Sequence, residues 1–395
     1  MAKKRIGILS GSFDPVRLSD IRTALFVLDS SYADSVLFLP FLPGSAPAGD
    51  RWKMLVSACA TDSRLVPSGM ALDLGLDDWN VNLLRSLRKT YGNADLIRIL
   101  RPDDLMSLSA ASDLAGLFRH CSFLVLLPED QPDSSVFYKE AGRLTAMGGR
   151  FRVVPSAPVP DYSCFTSDEL DVSVLEYCRC KGLYGLDGRL EHIDAWMDQL
   201  FAALKPRRFA HSLSVACTSR QLAVLHGSDP LKAEQAGLLH DCAKCLPMKE
   251  MRRIAENNAL TDDENVLSSD ALLHSIVGAS VAETDYGMTD PEVLDAIRFH
   301  NTGYPGMSRL SMCVCLADFM EPLRQSFPLL EAVRFLSRTS LEKALLLSLE
   351  GTVRYVLARG WYLYPRTGDT IRWLQSLPGV RDDPKADRFS GPVNS

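Results

Sequence analysis

Nowhere in the 395-residue chain does an apolar run approach the roughly 20 residues needed to span a bilayer, which argues against a membrane protein. Basic residues are outnumbered, 43 Lys plus Arg against 49 Asp plus Glu, giving a formal net charge of −6. A tight nucleic-acid binder carries a basic stripe, and the short clusters KKR at the start and KPRR at 205–208 are too small to supply one, so no nucleic-acid partner is expected. There is no internal repeat and no low-complexity tract. The basic N-terminus leads at once into a strand-like segment and GSFDP, not into a signal peptide, so a cytoplasmic location is expected. The ten cysteines are then reduced thiols. The spaced pairs Cys178/Cys180, Cys242/Cys245 and Cys313/Cys315 only weakly suit zinc, and packing is the expected role of Cys242 and Cys245, which frame Lys244 within a helix.

Histidine is also scarce, seven in all, and four of the seven fall into one pattern. The pair His240–Asp241 ends the helical stretch LKAEQAGLLHDCAK. His211 lies one helix upstream in RRFAHSLSVA, His274 follows in LLHSIVGA, His300 ends AIRFHNTGYPGMS, and Asp318 sits in CLADFMEP. A charged pair in an otherwise apolar Ala-Gly-Leu-Leu run is costly unless a metal or a partner compensates it. Imidazole nitrogen mixed with carboxylate oxygen, with no thiolate required, suits Fe, Mn, Zn, Co or Mg and argues against a structural cysteine-type zinc site. Such a set can enclose two divalent cations, with Asp241 the natural bridge, and the chemistry expected of two cations is hydrolysis of a phosphate ester or anhydride.

Length and pattern divide the chain, since 395 residues fit two domains of roughly 180–190 residues better than one core. The opening KKRIGILSGSFDPVRLSDIRTALFVL reads as a strand, a Gly-Ser turn and a helix, an arrangement that favours anions at the helix N-terminus. DSVLFLP, ADLIRIL, CSFLVLLP and RFRVVP follow as short apolar strands among helical stretches, which predicts a doubly wound, Rossmann-like parallel sheet. The join falls near 185–191 in GLDGRLEH. Beyond it HIDAWMDQLFAALKPRR begins an all-helical pattern, its first helix ended by Pro206. The expected organisation is an α/β domain over residues 1–186, an all-α domain over 187–378 and a disordered tail over 379–395, where turn formers dominate.

From about Arg207, the segments RFAHSLSVA, KAEQAGLLHDCAK, LLHSIVGA, DAIRFHNTGYPGMSRLS and LADFMEPLR, in that order, resemble the HD-domain symmetrical bis(5'-nucleosyl)-tetraphosphatases of bacteria. That resemblance implies hydrolysis of diadenosine tetraphosphate to two ADP. It implies His211, His240, Asp241, His274, His300 and Asp318 as ligands of a centre of two divalent ions, iron first and manganese, cobalt or zinc as alternatives. It further implies catalytic roles for Asp241 and Lys244. Lys244 stands three residues after Asp241, where an ammonium can meet a substrate phosphate. Thr302 and Gly303 match the family's turn after the ligand His300, where a hydroxyl and exposed amides can contact phosphate. Ser308, Glu321 and Arg324 also match. Arg324 is read either as a bidentate phosphate ligand or as the ion-pair partner of Glu321 on the same helix. Tyr304 departs from the pattern, since relatives often carry a basic residue there. Oligomeric state stays open, a homodimer included.

Residues 10–21 resemble nicotinate mononucleotide adenylyltransferase, with GSFDP intact from Gly11 to Pro15 and Gly-Leu-Tyr at 182–184 closing the domain. That resemblance implies nucleotide contacts at Ser12, Asp14 and Arg17. Arg17 and Asp20 stand where the family has its two histidines, and Ser19 replaces a glycine. The family's Gly-x-Asp has become Arg101-Pro102-Asp103, and its late phosphate loop is reduced to DYSCFTSDELDVSVLEYCRCKGLYG. An aspartate at position 20 repels the triphosphate oxygens that the family's imidazole contacts, so a degenerate adenylyltransferase domain is expected. A working adenylyltransferase of NAD biosynthesis and a nucleotide-sensing regulatory domain are the alternatives.

Overall fold

The structure, a computed structural model, describes residues 3–42, 44–75, 80–128, 134–156 and 167–380. The expected tail beyond residue 380 and the first part of the reduced phosphate loop, 161–166, lie outside the described residues. The chain divides into two compact units, Met1–Leu175 with Leu183–Gly185, and Glu176–Gly182 with Leu186–Ser395.

Six parallel strands form the first unit: β1 (Arg5–Gly11), β2 (Ser35–Pro40), β3 (Leu65–Pro67), β4 (Asp95–Leu100), β5 (Ser122–Pro128) and β6 (Phe151–Ser156). Their order is β3-β2-β1-β4-β5-β6. Helices cover both faces of such a sheet, which is why its strands read as apolar runs and not as alternating ones. Ile6, Ile8, Leu37, Leu39, Leu96, Phe123 and Val125 are accordingly buried. The order reverses between β1 and β4, and the crevice beyond the strand ends at such a reversal is where doubly wound sheets bind ligands. β3 is absent from the sequence expectation: with three residues and Pro67 at its end it is an edge strand too short to show a pattern.

The second unit is helical throughout its described residues. Proline opens five of its helices at the first turn, where a missing N–H costs nothing: Pro206–His226, Pro230–Leu239, Pro291–Arg298, Pro328–Leu336 and Pro365–Ser376. Pro206 therefore starts a helix and does not end one; the preceding helix, Ile193–Ala203, has already stopped at Leu204. Pro206–His226 and Pro230–Leu239 pack at Gly237, where a Cβ would lie 2.9 Å from Ala216 Cα and 3.0 Å from its nitrogen. This close approach brings the end of the second helix, and with it His240, beside His211. Cys242 and Cys245 lie in the turn after that helix, not within one. The Cys242 thiol is buried and donates to Gly278 O, a packing role. Among the described residues no helix is long and apolar enough to cross a membrane.

Candidate functional site

Six residues from five segments of the helical unit converge. His211 projects from Pro206–His226, His274 from the helix Asp270–Thr284 and Asp318 from Arg309–Met320, while His240–Asp241 and His300 follow the ends of Pro230–Leu239 and Pro291–Arg298. All but Asp318 are buried, and its side chain is only 25% exposed. Three of the imidazoles are oriented by backbone: Nδ1 of His240, His274 and His300 lies 2.7, 2.8 and 2.8 Å from the carbonyls of Gly237, Asp270 and Ile297. A carbonyl only accepts, so Nδ1 of His240 and of His300 carries the proton and their Nε2 atoms turn lone pairs inward, whereas His274 Nδ1 also meets the Lys244 ammonium, a donor, at 3.1 Å.

Those lone pairs face one another and two carboxylates. His274 Nε2 stands 3.2 Å from His300 Nε2 and 3.3 Å from Asp241 Oδ1. His240 Nε2 is 3.3 Å from Asp241 Oδ2, and His211 Nε2 is 3.1 Å from Asp318 Oδ1. Neither His211 Nε2 nor His240 Nε2, both buried, has a hydrogen-bond partner of adequate geometry. Inward lone pairs, paired carboxylates and orphaned ring nitrogens are the environment a cation resolves, so the residues fit a metal. Two groups of ligand atoms, His211/His240/Asp318 and His240/Asp241/His300, each lie within 4.8 Å of one another. Asp241 spans them, its Oδ1 towards His274 and His300 and its Oδ2 towards His240 and His211.

The electrostatics show the same demand for positive charge. Burial opposes ionisation of Asp241 and Asp318, yet the surrounding imidazoles hold both well below the usual carboxylate range. Burial likewise opposes protonation of His211, but Asp318 and Glu321 outweigh it and pull the ring up to about 9. His300, buried and facing His240 and His274, is pushed down to about 3 and is the neutral imidazole a metal ligand must be.

Glu321 sits behind this set. Its Oε1 is 3.3 Å from His211 Nδ1, and its Oε2 accepts from Ser214 Oγ at 2.8 Å. A carboxylate behind a ligating imidazole fixes the ring and raises its basicity. Glu321→Gln is expected to weaken metal affinity by about 10–100-fold with little change in fold, measurable by calorimetric titration with Co(II). The sequence alternative of a Glu321–Arg324 pair on one helix does not form. The helix stops at Met320 ahead of Pro322, and Arg324 turns back to Asp318, 2.8 Å from its carbonyl and 3.6 Å from Oδ1.

The other candidate residues fall around the rim. Lys244 Nζ is 3.1 Å from His274 Nδ1 and 3.7 Å from Asp270 Oδ2. Thr302 and Gly303 follow His300, but their amides both donate to Phe299 O and the Thr302 hydroxyl donates to Gly303 O. The amides expected to face phosphate are thus consumed in closing the turn. Gly303 has φ +61°, and a Cβ there would meet Thr370 Cγ2 at 2.7 Å, so glycine shapes the turn. Ser308 caps Arg309–Met320 by accepting from Ser311 N. One residue read only as part of KPRR belongs to the site itself: Arg208 Nη1 donates to Asp241 Oδ2 at 2.6 Å. Arg208 and Ser214 stand three residues either side of His211 on the same helix face, the one signal that could have found them.

Residues 208–323 match the HD domain family. The symmetrical bis(5'-nucleosyl)-tetraphosphatase of Halalkalibacterium halodurans is 40% identical over 171 residues, 43% of this chain and 90% of that protein. The chain belongs to the symmetrical bis(5'-nucleosyl)-tetraphosphatase family. A Mycoplasma genitalium relative, named a probable nicotinate-nucleotide adenylyltransferase/Ap4A hydrolase, is 25% identical over 336 residues, 82% of this chain and 89% of that protein. A crystal structure of a predicted HD superfamily hydrolase from Clostridium acetobutylicum is 35% identical and covers 47% of this chain and 98% of its own, with a TM-score of 0.46.

The family member's first unit has a pocket of its own, about 230 Å³, at the end of β1, lined by Ser12, Asp14, Arg17, Asp20 and Arg101 among others. Its polar groups are engaged. Asp14 accepts from Ser45 N, Ala46 N and Tyr184 Oη; burial raises its carboxyl, and these bonds more than reverse that. Arg17 lies 3.4 Å from Glu169 Oε2. Asp20 Oδ2 accepts from Arg17 N at 2.9 Å, placing a carboxylate at the first turn of Leu18–Asp29, the end of a helix that favours anions.

Proposed function

We infer that the chain hydrolyses dinucleoside polyphosphates, cutting diadenosine tetraphosphate symmetrically to two ADP in its helical unit. The observation that carries this reading is the convergence of four inward imidazoles and two carboxylates around two orphaned Nε2 atoms. His211, His240, Asp241, His274, His300 and Asp318 would hold two divalent cations, iron first, with manganese, cobalt or zinc as alternatives. When bound, the cations supply an activated water and neutralise phosphate oxygens. Asp241, whose two oxygens face different imidazoles, would help hold both cations, and Glu321 keeps His211 turned inward. Lys244 and Arg324, at the rim, supply fixed positive charge for the non-reacting phosphates. ADP is a good leaving group and needs little acid assistance.

Purified protein with Fe(II) under anaerobic conditions is expected to convert diadenosine tetraphosphate to ADP alone, separated by chromatography. AMP together with ATP, or no product with any of the four metals, would contradict this. The reading places the enzyme in the cytoplasm, where nucleotides are available and its free cysteines stay reduced.

The first unit keeps the nucleotide fold and its pocket, but the seats of the two family imidazoles are held by an ion pair and a helix cap. Nicotinate mononucleotide plus ATP is therefore expected to give no dinucleotide product. Formation of that product by wild-type protein at a rate its Asp20→Ala variant loses would reverse this assignment.

A further inference from the structure

The backbone carbonyls that orient His274 and His300 are local to each ring's own segment. His274 Nδ1 meets Asp270 O four residues earlier and His300 Nδ1 meets Ile297 O three earlier, so neither bond sets the distance between the two rings. That distance is short, 3.2 Å between the Nε2 atoms. It depends on how the turn after Pro291–Arg298 sits against the helix Asp270–Thr284. Besides the contact between the rings, the hydrogen bonds that cross between these two segments, among the described residues, are both made by one side chain. Asn301, next to His300, donates from Nδ2 to Ala271 O at 2.6 Å and accepts at Oδ1 from Ser275 Oγ, next to His274, at 3.1 Å.

Two adjacent pairs, His274–Ser275 and His300–Asn301, are therefore joined at both members, ring to ring and hydroxyl to amide. Ala271 lies one turn before Ser275 on the same helix face, so the Asn301 amide spans a full turn and fixes both the separation and the rotation of the segment that carries His300. Ser275 Oγ is also 3.1 Å from Leu272 O and shares one proton between two acceptors, which makes the Ala271 bond the firmer of the two. Both polar ends of Asn301 are used in this way, so it acts through the imidazoles and not on an ion or a phosphate. Its contacts lie on the side of Asp241 Oδ1, which faces His274 at 3.3 Å and His300 at 3.9 Å. The other group, His211, His240 and Asp318, has a different backing in Glu321 and Ser214.

We propose that Asn301 is a positioning residue that holds His274 and His300 in register, and so sets cation affinity on the Asp241 Oδ1 side of the centre without setting it on the other. This rests on the reading of the site as a centre for two cations. The test follows Co(II) uptake by calorimetry and visible absorption in the full-length wild type, Asn301→Ala, Asn301→Thr and Ser275→Ala, with ADP then titrated into each loaded protein.

The wild type is expected to take up two Co(II) ions. In Asn301→Ala one of the two binding steps should weaken by about 10–100-fold, with its share of the absorption lost, while the other stays within about twofold. Asn301→Thr keeps a hydroxyl that can donate to Ala271 O, and Ser275→Ala removes the weaker bond alone, so both should weaken the same step by less. These two variants carry the test if Asn301→Ala folds poorly. Equal weakening of both steps would overturn the proposal. So would a folded Asn301→Ala that loses only thermal stability, the result of a merely structural bond, or one that loses ADP binding with Co(II) uptake unchanged, the result of a nucleotide contact. A wild type that takes up fewer than two Co(II) ions would sink the two-cation reading and this inference with it. Two ions with the wrong Asn301 pattern remove the inference alone.

Discussion

Asp241→Asn is expected to lower the hydrolysis of diadenosine tetraphosphate by more than about 10³-fold while leaving the protein folded. The residue is 2% exposed, and its two oxygens face both groups of candidate ligands. Asparagine keeps the volume, so no cavity opens, but it removes the charge and leaves one oxygen where two are needed. His274 and His300 would then share no carboxylate. Rate measurements at saturating metal, with circular dichroism to confirm the fold, check the expectation. Retention of more than a tenth of wild-type activity would show that Asp241 does not join the two positions.

Metal itself is expected to stabilise the helical unit strongly. The candidate ligands come from five segments, and His211 Nε2 and His240 Nε2 are buried without a hydrogen bond, so a cation would satisfy groups that folding has already desolvated. A ligand at about a hundred times its Kd adds roughly 2.7 kcal/mol, which for a domain of this size raises Tm by roughly 5–10 °C. Thermal unfolding followed before and after chelation, with Co(II) added back, reads this directly. Asp241→Asn should lose most of the increase, and an increase of equal size in that variant would place the cation elsewhere.

Much of this site was legible in the sequence because metal chemistry tolerates so few side chains. His240–Asp241 stood out as a charged pair in an apolar run, and the four histidines and two aspartates that the sequence pattern and the family resemblance nominate do meet. The parallel sheet was legible for a related reason: a strand buried on both faces must be apolar at every position, and Leu37–Phe38–Leu39 or Leu124–Val125–Leu126 admits few other readings.

What remained hidden is held by groups that leave no signature. The carbonyls of Gly237 and Ile297 fix two imidazole tautomers, but every residue has a carbonyl, and only the fold decides which one a ring meets. The Thr302–Gly303 turn looks open in sequence and closes on Phe299 in space. Glu321 and Arg324 are three apart, a helical spacing that Pro322 makes irrelevant by ending the helix, so one goes to His211 and the other to Asp318. Arg208 was read as one of a basic cluster because nothing local distinguishes a lysine or arginine facing solvent from one reaching a carboxylate 33 residues away.

Hydrolysis of diadenosine tetraphosphate in ¹⁸O-enriched water, with mass spectrometry of the products, shows whether this chain cuts a dinucleoside tetraphosphate between its two middle phosphates by attack of water. ADP is expected as the sole product, with one labelled oxygen for every two ADP formed. Label in AMP or ATP, or ADP formed without label, would contradict it.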